Sequence, residues 1–343
     1  MSPPNSNALL GGPRVLPPLK TWSHLAGARR RPTEYEVVSV GLHYHTRHPA
    51  CAWELDPSLF MNEWYRRHRE GSALGPRQGK RWDDFRDPDA LIYRGYVRLQ
   101  NEQETHVEAL LDQHDERGHD ATLSPAWQEA LARWITPGRY PRHALQMASA
   151  YAGQMAPAST ITNCCFFQAA DEARLGQRLA YRTAELRLHC PGRGFGATER
   201  AVWEQDPIWQ GFRELLERAL VAWDWGESFA AVNLVAKPAL DEANLRQLAV
   251  TARAAGDELH ALLCESHLRD VARARRWTLA LVSFLDESSL PAGRDALRGW
   301  VARYVPLADR AIEQHLAPLP GGARAAQQAR AACAAFRASA GLG

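Results

Sequence analysis

The sequence predicts an all-α protein, a long-helix bundle preceded by an extended N-terminal arm. Three observations carry this. Apolar residues recur at three- and four-residue steps from about Asp87 onward, the repeat of one helical face. No Gly-rich phosphate loop and no alternating strand and helix units occur, which argues against a nucleotide-binding α/β fold. Of 343 residues, 45% are hydrophobic, and 41 Lys and Arg nearly cancel 39 Asp and Glu for a formal charge of +2. That balance excludes a disordered tail and a nucleic-acid binder working by bulk charge.

Residues 1–60 form the arm. They are rich in Pro, Arg and aromatics, and only Tyr35 to Val40 show any alternation. Trp22, Tyr35, Tyr44 and Trp53 are too many aromatics for a solvated tail, so the arm is expected to lie on a surface, its own domain's or a partner's, as interface residues. The helical domain spans 61–316. Its first long helix covers 88–118, with Asp87-Pro88-Asp89 as cap and first turn and with Tyr93, Tyr96, Val97, Gln100, Val107, Leu110 and Leu111 as its stripe. Helices follow at 125–135 and 142–155, then from Pro157 to Leu188. A further helix through Phe212, Leu216, Trp223 and Leu234 is expected to close at Lys237-Pro238. Others lie at 240–270, 273–286 and 294–316, and residues 317–343 form an Ala-rich tail. Helices this long, joined by Pro/Gly turns, pack as an up-and-down bundle of the ferritin-like kind.

The run from Ala144 to Ala170 lacks charge but holds Gln146, Gln154, Asn163 and Gln168, so it reads as buried helix ends and not as a membrane span. The first ten residues carry no basic cluster leading into an apolar core, and the expected location is cytoplasmic. The six cysteines show no zinc spacing and are expected to be reduced and buried.

A bundle of this kind raises the question of a di-iron centre. That centre needs a Glu from each of two helices and an ExxH pair from each of two others, because i, i+3 spacing aims both ligands inward. One literal pair exists, Glu116 with His119, at a charged helix end; Asp257 with His260 is an imperfect second. No metal-ligand, catalytic or cofactor-binding residue is therefore assigned. Glu104 and Glu227 fall on or near apolar stripes, where a carboxylate must be paired. With Arg182 they are expected to belong to a buried polar network between helices, Gln100 and Gln103 being further partners. There is no GxSxG elbow, and His43, His45 and His48 sit in the arm without the Cys or Asp/Glu pattern that a nucleophile site needs.

In its specific wording the chain resembles a known family. The blocks Leu19-Lys20-Thr21-Trp22-Ser23-His24-Leu25, Arg31-Pro32-Thr33-Glu34-Tyr35, Gln146-Met147-Ala148-Ser149-Ala150-Tyr151, Gln154-Met155-Ala156-Pro157-Ala158, Asn163-Cys164-Cys165, Ala180-Tyr181-Arg182-Thr183, Asp224-Trp225-Gly226-Glu227 and Pro306-Leu307-Ala308-Asp309-Arg310 occur in order. They are similar to the β subunit of the hydroxylase component of bacterial multicomponent di-iron monooxygenases, in the toluene and alkene monooxygenase group. The resemblance covers about residues 19–316. It implies a ferritin-like, non-catalytic structural subunit without cofactor in this chain, the di-iron centre being in a partner α subunit. It further implies an (αβγ)2 assembly with α and γ subunits, served by an effector protein, a Rieske ferredoxin and a flavin reductase, with no nucleic-acid or membrane partner. The complex would oxidise hydrocarbons with O2, by aromatic hydroxylation or alkene epoxidation. The alternative is a ferritin-like oxidase or oxygenase that binds its own metal.

Overall fold

The computed structural model describes residues 32–42, 58–75, 81–288 and 291–342, and among these every regular element is helical. Of the aromatics expected in the arm, Trp22, Tyr44 and Trp53 lie outside the described residues. The stretch that alternates in sequence is a helix, α1 (Glu34–Ser39). A capping box overrides the β-branched residues: Glu36 N donates to Thr33 Oγ1 at 3.2 Å and Thr33 N donates to Glu36 Oε2 at 3.0 Å. The turn after α1 is held to the body by Ser159, whose hydroxyl donates to Ser39 O at 2.7 Å and accepts from Leu42 N at 3.1 Å.

Helix α2 (Phe60–Tyr65) runs into a wide turn, Arg66–Glu70. The first long helix, α3 (Tyr93–Glu116), begins later than the Asp87-Pro88 cap suggests. Asp87 instead closes a turn of its own, accepting from Asp89 N at 3.0 Å and Leu91 N at 3.2 Å. On α3 the buried face is Tyr96, Gln100, Gln103, Val107 and Leu111, whereas Tyr93 and Val97 of the expected stripe are exposed. The inward stripe thus carries two amides among its apolar residues.

After α4 (His119–Thr122) and α5 (Pro125–Ala130), helical turns pass through Pro137 and Gly138 directly into α6 (Arg139–Met155). It forms a hairpin with α7 (Ser159–His189). The two approach closely because Gly153 has no side chain: a Cβ there would stand 3.0 Å from Cys165 Cβ and from the Phe166 ring. Two shorter helices follow, α8 (Glu199–Gln205) and α9 (Pro207–Leu220).

The helix expected over 212–234 is two elements. Asp224 caps a fresh start by accepting from Glu227 N at 3.0 Å, and α10 (Trp225–Phe229) begins there. It continues past Lys237-Pro238 through a wide turn (Ala230–Ala236), α11 (Lys237–Asp241), a second wide turn (Glu242–Gln247) and α12 (Leu248–Ala254). Pro238 is tolerated because the wide turn before it relaxes the i to i−4 ladder that a proline ring would otherwise strike. The real break is at Ala255-Gly256-Asp257, with Gly256 at φ 84°. Helices α13 (Glu258–Ser288), α14 (Pro291–Leu316) and α15 (Gly322–Ser339) complete the order. The last lays Ala326, Ala329, Cys333 and Phe336 into the core.

Trp209, Phe212, Trp225 and Phe229 are fully buried, and each such side chain contributes on the order of 1.5–3 kcal/mol of transfer free energy. Cys164, Cys165, Cys190, Cys264 and Cys333 are free and buried. No described helix is long and apolar enough to cross a membrane.

Candidate functional site

The apolar interior of the bundle carries buried ion pairs. Arg142 on α6 reaches Glu172 on α7 at 3.0 Å and Asp241 on α11 at 2.5 Å through one nitrogen, Nη1. Lys237, one turn before Asp241, contacts both the same carboxylates, at 2.9 Å for Asp241. All four side chains are at most 7% exposed. Burial alone would discharge such groups; here it is outweighed by the opposite charges, which hold Asp241 below the usual carboxylate range and Arg142 and Lys237 above theirs. Two cations and two anions form a neutral quartet.

A second cluster lies beside it. Asp171 on α7 accepts from Tyr96 Oη and Gln100 Nε2, each at 3.0 Å, and pairs with Arg273 on α13. Asp270 accepts from Gln100 at 3.0 Å and Gln103 at 3.3 Å, and pairs with Arg174 and Arg273. Burial, with the like charge of Asp270 second, pushes Asp171 up to about 7. The same arginines leave Asp270 below its ordinary value despite burial.

Glu104, Arg182 and Glu227 are each paired across helices, but in three separate places. Glu104 is half-buried and takes Arg174 at 2.7 Å, with Arg178 also in contact. Arg182 is buried against Asp120 at 2.7 Å and Glu185 at 3.2 Å. Glu227 accepts from Tyr304 Oη at 3.0 Å and Arg303 at 2.6 Å, far along the chain from both. Sequence spacing does not find the partners of the two glutamates, which are 70 to 77 residues away.

Neither histidine motif forms an inward ligand pair. Helix α3 ends at Glu116, and Gly118 at φ 63° turns the chain before His119, so Glu116 is exposed and shares no helix face with it. Asp257 is fully buried and accepts three hydrogen bonds: from His260 N at 2.9 Å, Trp127 Nε1 at 2.8 Å and His119 Nε2 at 3.0 Å. The two half-motifs therefore meet each other, as a polar tie between α4 and the start of α13. Among the described residues no group of three or more His, Cys, Asp or Glu is placed to hold a metal ion. A di-iron centre does not fit this donor set. The axis is lined by carboxylates already matched to arginine or lysine and by the amides Gln100 and Gln103.

The surface holds the other notable feature. Phe60 is 69% exposed, and Met61, Val221 and Trp223 are also exposed. Trp64 stacks within this group, its ring centroid 5.6 Å from those of Phe60 and Trp223. Two hydrogen bonds fix it: Trp64 Nε1 donates to Tyr151 Oη at 3.1 Å, and Tyr151 Oη donates to Trp223 O at 2.7 Å. Such a contiguous aromatic patch on a rigid base is the composition of an interaction surface. Sequence periodicity hides it, because Trp223 falls in register with a helical stripe; the Asp224 cap, which ends that stripe, is the signal that could reveal it. Tyr35, expected at an interface, is 7% exposed, and its hydroxyl accepts from Asp87 N at 2.9 Å, so it anchors α1 to this chain's own body.

Comparison with known proteins follows the same lines. Residues 64–288 match the family model described as Methane/Phenol/Alkene Hydroxylase. The chain is 47% identical over 302 residues to the hydroxylase component subunit beta of the toluene-4-monooxygenase system of Ectopseudomonas mendocina, covering 88% of this chain and 91% of the relative. It is 27% identical over 233 residues to a phenol 2-monooxygenase oxygenase component of Pseudomonas sp. (strain CF600), covering 67% and 69%. Among solved structures, a chain of toluene 4-monooxygenase with toluene bound in its resting active site superposes with a TM-score of 0.82 at 46% identity, covering 89% of this chain and 98% of that one.

Proposed function

This chain belongs to the methane/phenol/alkene hydroxylase family, and from that premise we propose that it is the non-catalytic β subunit of a hydrocarbon-oxidising hydroxylase, a helical scaffold for the catalytic α subunit. The observation that carries the reading is the charge pairing of the interior. Glu172, Asp241, Asp171 and Asp270 are buried carboxylates inside the bundle, and each is held by a cation on a neighbouring helix. To bind a metal they would have to abandon arginine and lysine partners that are themselves buried, leaving those cations unpaired. The ion pairs tie α3, α6, α7, α11 and α13 together, which is a structural task.

On this reading the iron resides in the α subunit, and the working assembly is (αβγ)2, with an effector protein, a Rieske ferredoxin and a flavin reductase as system components, in the cytoplasm. The aromatic patch around Trp64 supports a role in holding a partner. Large, partly exposed aromatics on a packed base are the side chains that most often dominate an interface. The test is reconstitution. The purified chain alone is expected to show no O2-dependent oxidation of toluene, phenol or a short alkene, and to restore stability and turnover when added to an α subunit lacking it. Turnover by the isolated chain would overturn the proposal.

A further inference from the structure

Between α6, α7, α12 and α13 lies a cavity of about 40 Å³. Its lining is mostly apolar, with Arg142, Arg178, Arg182, Asn244, His260 and His267 as the polar groups and no Asp or Glu. Two buried atoms of this wall have no protein partner. Arg142 engages both of its carboxylates through Nη1 and leaves Nη2 unpaired, and the Asn244 Oδ1 acceptor is likewise unpaired. Arg142 is only 2% exposed, so bulk solvent does not serve it.

We propose that this cavity is a binding site for a small cluster of ordered water, which accepts from Arg142 Nη2, donates to Asn244 Oδ1 and joins the helices at the centre of the bundle. Unpaired buried polar groups are costly, and water is the usual remedy where the space is polar and large enough. Taking one water between the minimum of about 10–15 Å³ that admits it and its share of about 30 Å³ in the liquid, the volume takes about two or three. The other occupants fail on size or charge. A cavity of roughly 150 Å³ is known to admit a benzene ring, and this one, at about 40 Å³, is far smaller, so an aromatic hydrocarbon does not fit. A cation would face three guanidinium groups. Burial, reinforced by Arg174 and then by Arg142 and Arg178, drives His267 down to about 3, and burial holds His260 at about 4, so neither ring is charged near neutrality. A small anion finds no charge to neutralise, because Arg142, Arg178 and Arg182 are matched by Glu172 and Asp241, Glu104, and Asp120 on the far side of the wall. Water is neutral and has both a donor and an acceptor to offer. This inference is independent of whether the chain serves an oxygenase.

The deciding experiment is a high-resolution crystal structure of the full-length chain in its complex, with and without xenon pressure. Two or three oxygen-sized peaks within hydrogen-bond distance of Arg142 Nη2 and Asn244, undisturbed by xenon, are expected. Xenon entering the cavity, or an anomalous scatterer from chloride or a metal there, would overturn the proposal. In solution, oxygen-17 relaxation dispersion should count at least one fewer long-lived water in Asn244→Leu than in the native chain, with Gln247→Ala unchanged as a control. Equal counts in Asn244→Leu and native protein would contradict it. If Asn244→Leu does not fold, the xenon experiment on the native chain still decides.

Discussion

The interior around Arg142 and the surface around Trp64 differ in how their side chains are satisfied. In the interior every carboxylate of the quartet has two cations within contact, and the amides of Gln100 and Gln103 fill the remaining acceptors of the neighbouring cluster. At the surface, Phe60, Met61 and Trp223 leave their apolar area in water although Trp64 and Tyr151 beneath them are fixed by hydrogen bonds. The first region matches its charges within the chain, whereas the second leaves apolar area facing water. On the proposed reading, the first region holds the subunit together and the second is what it offers to a partner.

If the contrast is right, the largest effect comes from breaking the interior. Arg142→Ala would leave Glu172 and Asp241 with Lys237 alone, at a cost of about 3–5 kcal/mol. Denaturant unfolding should show this loss, or the chain should fail to accumulate as soluble protein. Lys237→Met should cost less, since Arg142 still bridges both acids. A Tm shift in the reverse order would mean that Lys237 and not Arg142 is the keystone.

At the surface the effect should fall on association. Trp64→Ala is expected to weaken capture of the α subunit by about 2 kcal/mol, roughly thirtyfold in Kd. Phe60→Ala, which breaks no hydrogen bond within the chain, should weaken capture with melting unchanged. Unaltered affinity in both would remove the patch from the interface.

Glu227 lies between the two extremes, partly exposed and paired with Tyr304 and Arg303. Glu227→Ala should cost about 1–2 kcal/mol of stability and leave the metal content of the complex unchanged.

Acid provides the mildest probe. His260, His267 and His315 are buried and held well below 6.5, at about 4, 3 and 3, chiefly by burial, so between about pH 6.5 and 4 the unfolded chain binds protons there that the folded chain does not. Stability then rises with pH across that window. Asp171, raised from 3.8 to about 7, works in the opposite sense: its contribution is full below pH 3.8 and is lost as pH rises through 7. Asp87 and Glu185 are raised by burial in the same direction as Asp171, but the three histidines outweigh them, so Tm should be lower at pH 5 than at pH 7. A higher Tm at pH 5 would show that the raised carboxyls dominate.

The fold class and the spans of α7 and α14 were legible because long-range packing agrees with local periodicity there. Legibility failed where a single side chain redirected the chain. Asp87 closes a turn instead of capping α3, Asp224 starts a new helix inside an apolar run, and Thr33 with Glu36 makes a helix of a β-branched segment. Lys237-Pro238 reads as a stop, yet the wide turns on either side carry the helix through it. The sequence offers one literal ExxH pair and one imperfect one, and the ion pairs of the interior were not legible in it. The Arg273 to Asp171 pair spans 102 residues and the Arg142 to Asp241 pair spans 99, and no local pattern announces such partners. The resemblance to hydroxylase β subunits supplied what periodicity could not.

The central claim is that the bundle interior supports the fold and does no redox chemistry. Subunit-resolved metal analysis of the assembled complex tests it most directly: the subunits are separated under native conditions and iron is measured on each. Iron on the α subunit alone, with none in stoichiometric amount on this chain after incubation with Fe(II), is the expected result. Close to two irons for each copy of this chain would contradict it.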